Sequence, residues 1–84
     1  MIYDIVAPDG TVTPVERDEA FSLEELQQIV GRYIEFVYGY DGEDTICVNE
    51  EGRIMQLPQN QRYPDLVGNV VVGKSVGDEF VGKE

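Results

Sequence analysis

The stretch FSLEELQQIVGRYIEFVY, residues 21–38, decides the fold, because it writes a complete helix and hands it directly to a strand. Ser22 is placed as an N-cap whose hydroxyl accepts from an orphan backbone N–H, and Glu25, three residues on, completes a capping box. Phe21 before the cap and Leu26 inside the helix are spaced as a hydrophobic staple. Leu23, Leu26, Ile29, Val30 and Tyr33 recur at intervals of three and four, so one stripe is apolar while Glu24, Glu25, Gln27 and Gln28 face water. Glu24 and Glu25 also oppose the positive end of the helix dipole. Gly31 marks the stop, available for a left-handed C′ position where a side chain clashes. A strand over 33–38 follows, with Ile34, Phe36 and Tyr38 on one face.

Toward the N-terminus, 16–20 is a polar linker. Residues 2–6 and 11–15 form a hairpin about the turn Ala7-Pro8-Asp9-Gly10, and Pro14 restricts its second arm to an edge. Toward the C-terminus, 39–44 is a loop dense in glycine and acid, and 45–48 is a β-branched strand. Asn49-Glu50-Glu51-Gly52 suits a type I turn closed by a left-handed glycine, which predicts that 53–57 pairs back on 45–48 and completes a three-stranded meander. Leu57-Pro58-Gln59-Asn60 breaks the pattern, and 61–67 crosses irregularly with Tyr63 and Leu66 as anchors. A last strand over 69–72 is apolar on both faces, while Val76, Phe80 and Val81 allow a short edge strand. The expectation is one α+β domain: a helix over 22–30, burying Leu23, Leu26, Ile29 and Val30, packed on a mostly antiparallel sheet of about five to six strands. Within it, 1–20 is hairpin and linker, 21–72 the helix and meander core, and 73–84 a C-terminal tail.

Eighty-four residues are near the lower size at which one core suffices. A single cysteine, Cys47, permits no internal disulfide, and with no leader-like N-terminus the expectation is a cytoplasmic protein. No apolar run approaches the roughly twenty residues that span a bilayer. Six basic against seventeen acidic residues give a formal charge of −11, which opposes direct binding to nucleic acid or to anionic lipid. The absence of histidine removes the commonest general base and transition-metal ligand.

SLEELQQIVGRYIE, then VNEEGRI, then LPQN and a valine-rich strand opened by glycine, together resemble the family catalogued as domain of unknown function 3846. The resemblance spans about residues 21–73 and implies an origin in phages, plasmids, conjugative elements or gut bacteria, with no activity attached. Family members read glycine-glycine before Tyr-Ile-Glu; here the second glycine is Arg32, so only Gly31 is available as a left-handed cap. The family's Asn-Glu-Glu-Gly falls on Asn49, Glu50, Glu51 and Gly52, and its Leu-Pro-x-Asn on Leu57, Pro58 and Asn60. Gln61 separates Asn60 from Arg62, where family members often place arginine directly.

Residues 68–75, GNVVVGKS, satisfy the phosphate-loop pattern letter by letter. Three valines fill the supposed loop and nine residues remain after Ser75, so a strand is the better reading and nucleotide binding there is not expected. Cys47 lies between Ile46 and Val48 with no base to activate it, which favours a structural thiol. Glu50 and Glu51, adjacent in a turn, stay solvated and unsuited to acid–base work. Asp41, Glu43 and Asp44 lack the spacing of a calcium loop. No catalytic residue, metal or cofactor is expected.

Function is therefore sought in binding. The primary expectation is a non-enzymatic accessory protein of a mobile element. It would engage a host protein, such as a basic nucleic-acid-handling or defence factor, through Tyr40, Asp41, Glu43, Asp44, Glu50 and Glu51. Of the tyrosines, Tyr38, Tyr40 and Tyr63 can extend an interface, whereas Tyr33 is expected in the core. The alternative is a small-ligand or nucleotide-sequestering protein, its pocket lined by Asn49, Asn60 and Arg53.

Overall fold

The computed structural model describes residues 1–40 and 42–83. Their elements are β1 (Ile2–Val6), β2 (Val12–Glu16), α1 (Leu23–Val30), β3 (Ile34–Val37), β4 (Thr45–Asn49), β5 (Val70–Val76) and β6 (Glu79–Val81). The six strands form one antiparallel sheet in the order β2-β1-β5-β4-β3, with β6 paired to the second half of β5. This is the expected α+β architecture, one helix on a sheet.

Alternation divides the sheet into two apolar faces, each needing a cover. Tyr3, Cys47 and Val71 face α1 and are buried with its Leu26 and Val30, flanked by Ile5, Ile34, Phe36 and Phe80. Val6, Ile46, Val48, Val70 and Val72 face the other way and lie under the irregular segment 50–69, whose Tyr63 is buried with them and whose Leu66 packs beside. Burying each such aliphatic side chain is worth about 1.5–3 kcal/mol. A double cover explains why β5 opens with valine at three consecutive positions.

The helix ends as its sequence predicts. Ser22 N–H donates to Glu25 Oε1 (3.0 Å) and Glu25 N–H donates to Ser22 Oγ (3.1 Å), closing the capping box. Gly31 sits at φ 123°, ψ 174°, a mirror-extended conformation rather than the left-handed helical one expected. A Cβ there would run into Asn49 Nδ2.

Four further expectations are corrected. Residues 53–57 do not pair on β4; β5 takes that place, with Cys47 opposite Val71. Instead Leu57 N–H donates to Gly52 C=O (3.0 Å) and Gln56 N–H to Arg53 C=O (3.2 Å), a helical turn closed by Gln56 at φ 57°. Gly52 has no positive φ; glycine is needed because a Cβ would lie 2.5 Å from Val67 Cγ2. Leu23 is 59 % exposed, since it stands in the first turn beyond the buried part of the stripe, and Tyr33 is 47 % exposed, since it lies after the helix and outside β3. The short strand allowed in the C-terminal stretch is present, with Phe80 and Val81 in β6 and Val76 at the end of β5. Tyr3 pins that hairpin down: its hydroxyl donates to Phe80 C=O (2.9 Å) and accepts from Phe21 N–H (3.2 Å), so one side chain ties β1 to β6 and to the helix entry.

Candidate binding surface

Every buried side-chain nitrogen and oxygen among the described residues has a hydrogen-bond partner, so chemistry must be sought at the surface. Asn60, fully buried, donates to Val6 C=O (3.2 Å), Ala7 C=O (3.3 Å) and Gly68 C=O (2.9 Å), and accepts from Arg62 N–H and Tyr63 N–H. It is a structural clasp. Asn49 donates to Val30 C=O (2.9 Å) and accepts from Glu51 N–H (2.7 Å), and Asn69 donates to Ile29 C=O (2.8 Å). The two asparagines satisfy carbonyls that the end of a helix leaves free. Asn69 was not anticipated, because nothing local in the sequence links it to a helix forty positions away.

Beside these asparagines lies a cavity of about 300 Å³, lined chiefly by Pro8, Ile29, Asn49, Met55, Leu57 and Asn69. Arg53 is not in its wall; with Asn49, Glu35, Glu50 and Asp65 it lines a second hollow of about 140 Å³, its Nη2 donating to Asp65 C=O. Of the anticipated trio, Asn49 and Arg53 are thus brought together in this hollow, while Asn60 is held apart by its backbone bonds. Burial pushes the Cys47 thiol up to about 12, so it stays protonated inside β4, unsuited to nucleophilic attack. Residues 70–75 of the phosphate-loop look-alike lie in β5, with no helix at Lys74.

The acidic residues sit differently. Glu43 is exposed and Asp44 pairs with Lys83 (3.3 Å) at the start of β4, while Glu50 is exposed and Glu51 half-buried past its end. Four residue steps of about 3.4 Å put the ends of β4 about 14 Å apart, and the two groups lie beyond those ends, so they do not merge into one patch. Tyr40 packs edge-on against Tyr63 (5.4 Å between ring centroids), and Asp41 lies outside the described residues.

Between the two acidic groups runs β3, an edge of the sheet. Glu50 N–H donates to Tyr33 C=O (2.8 Å), and Ile34 stands opposite Asn49. Alternation then turns the Glu35 and Val37 amides toward β4 and the Ile34 and Phe36 amides outward. The side chains of Ile34 and Phe36 face the helix and, with Phe21, Leu23, Leu26 and Phe80, line an apolar groove of about 310 Å³. Sequence reading missed this groove because a leucine in a first helical turn looks the same whether or not anything covers it.

Among the described residues no helix is long and apolar enough to cross a membrane. Comparison with curated proteins and with solved structures returned no match. The family model described as domain of unknown function (DUF3846) matches residues 4–83, nearly the whole chain, and the protein belongs to that family.

Proposed function

We propose that this domain is a non-enzymatic binding protein of a phage or other mobile element, acting in the cytoplasm on a basic host protein such as a nucleic-acid-handling or defence factor. One observation carries the reading: acidic loops, with Glu43 and Glu50 exposed, lie at the two ends of an open sheet edge. A negative field of this kind speeds encounter with a cationic partner and weakens as salt rises.

A ligand-sequestering role ranks second. The cavity beside Asn49 and Asn69 is large enough for a small molecule, but no lysine or arginine lines it. The negative end of the helix dipole closes one side, which opposes a nucleotide's phosphates.

The test is capture from a bacterial lysate at low ionic strength by the native domain and by a variant carrying Asp41→Asn, Glu43→Gln, Asp44→Asn, Glu50→Gln and Glu51→Gln. Circular dichroism should be unchanged, since the exposed Asp44–Lys83 pair contributes little. A basic protein held by the native domain, released by salt and bound more slowly by the variant is expected. Equal association rates at low salt would remove the acidic-surface reading and put the cavity first.

A further inference from the structure

We propose that the outer edge of β3 takes up an extended basic segment of the partner protein as an added β-strand, paired through the backbones of Ile34 and Phe36. This rests on the reading of the domain as a binder of basic proteins and specifies how it binds.

Three features meet at this edge. The outward N–H and C=O groups of Ile34 and Phe36 form the template that strand addition requires. The groove lies on the helix-facing side of the same two residues, so alternate side chains of an added strand would reach Leu23, Phe36 and Phe80. Leu23 is the most exposed apolar side chain of that lining, at 59 %.

The opposite edge shows what a protected edge looks like here. Arg17 N–H donates to Met1 C=O, and Asp4 stands opposite Pro14, so alternation turns the nitrogen of Pro14 outward. Proline removes that outward donor and blunts β2. In β3 the corresponding outward positions are Ile34 and Phe36, both of which keep their N–H.

Charge selects the occupant. Exposed Glu35 and Glu79 flank the edge and its groove, with Glu43 and Glu50 beyond its two ends, against Arg32, which lies over the Tyr33 ring beside Glu24, Arg53, which shares a hollow with Glu35 and Glu50, and Lys83, which is paired with Asp44. A second copy of the chain would bring another −11 and another Glu35 to the same line, and like charges across a strand pair repel. Lysine or arginine alternating with leucine or phenylalanine matches both the carboxylates and the groove.

The probe is a labelled synthetic peptide, KLKFKLK, followed by fluorescence anisotropy at low salt and by the amide resonances of Ile34 and Phe36. Two further peptides carry N-methyl groups at alternate backbone nitrogens, one in each register, and a third scrambles the residue order. The parent peptide should bind, shift both resonances and weaken with salt. N-methylation in one register should weaken binding about tenfold, the equivalent of losing one or two backbone hydrogen bonds. Leu23→Gln, at an exposed site, should leave the fold intact and reduce parent binding by a similar factor. If all peptides bind alike, strand addition is overturned while the acidic-surface reading stands. If none binds, strand addition is likewise overturned, and the lysate capture with the neutralised variant decides the broader reading on its own.

Discussion

The two covers of the sheet are built by opposite means. On one face α1 is shaped by determinants within a few residues of each other, the Ser22–Glu25 capping box and a stripe that buries Leu26 and Val30, and distant side chains only finish its ends, Asn49 and Asn69 at the last carbonyls and Tyr3 at the entry. On the other face 50–69 has no regular element beyond one helical turn and an isolated bridge between Gln59 and Val67, and it is fixed by an amide reaching back more than fifty positions. A short helix of this kind can lose one local bond and keep its packing. A cover without a ladder of its own depends on the few groups that tie it down.

The sharpest way to break that contrast is Asn60→Ala. It leaves buried carbonyls of Val6 and Gly68, and the N–H groups of Arg62 and Tyr63, without their amide. Each unsatisfied buried group costs about 1–3 kcal/mol, with some relaxation, so a loss of about 3 kcal/mol in urea unfolding is expected. Asn60→Asp should also destabilise, because a carboxylate cannot donate to those carbonyls. A loss under about 1 kcal/mol for Asn60→Ala would mean that packing of Tyr63 and Leu66, not the amide, holds this cover.

Gly31→Ala probes the place where the covers meet. Asn49 bonds both Val30 C=O and Glu51 N–H, so displacing its side chain loosens the helix end and the start of 50–69 together. Backbone strain at φ 123° alone costs about 1–3 kcal/mol, and a total near 2 kcal/mol is expected. Faster amide exchange at Glu51 as well as in the last turn of α1 would confirm the coupling; exchange confined to the helix would refute it.

The same contrast governs how much was legible. The helix, the first hairpin and the β3–β4 hairpin were readable because their determinants are neighbours: Ser22 and Glu25, Pro8 and Gly10, the alternation about Phe36. Residues 53–57 were misread as a strand because Arg53, Ile54 and Met55 alternate plausibly, whereas Ile54 is in fact 81 % exposed and β4's second partner arrives from twenty-odd positions downstream. The roles of Asn49, Asn60 and Asn69 rest on carbonyls distant in sequence, which a turn preference cannot reveal. The acidic loops were found, but the open edge between them required knowing that β5, not 53–57, lies on the inner side of β4.

On the helix side a single bond should matter less. Ser22→Ala is expected to cost about 1 kcal/mol, read as a shifted urea midpoint with an unchanged slope. The bond from Ser22 N–H, then the Ser22 hydroxyl and Arg17 (2.8 Å), hold the Glu25 carboxyl below its ordinary range. A carboxylate with a lowered folded pKa contributes stability above its unfolded pKa and loses it as pH falls through the folded value. Glu25→Gln should therefore flatten the acid limb of the stability profile, and a profile unchanged by that substitution would show that the capping carboxylate has no part in it.

The smallest effect expected is a gain, and it lies on the irregular side. Gln56 closes the turn at φ 57°, the C′ position of a Schellman motif, where Gly52 C=O and Arg53 C=O receive the two closing bonds. A residue with a Cβ gives up about 1 kcal/mol in that conformation. Glycine removes this strain but costs about 0.5 kcal/mol in extra freedom of the unfolded chain. Gln56→Gly should accordingly raise stability by about 0.5 kcal/mol, whereas Gln56→Val, with its branched Cβ, should lower it. Stabilisation by glycine would show that part of this cover is under local strain which its long-range amide bonds hold in place. Destabilisation would mean that the Gln56 side chain itself secures the turn, making this cover more locally determined than the hydrogen-bond pattern implies.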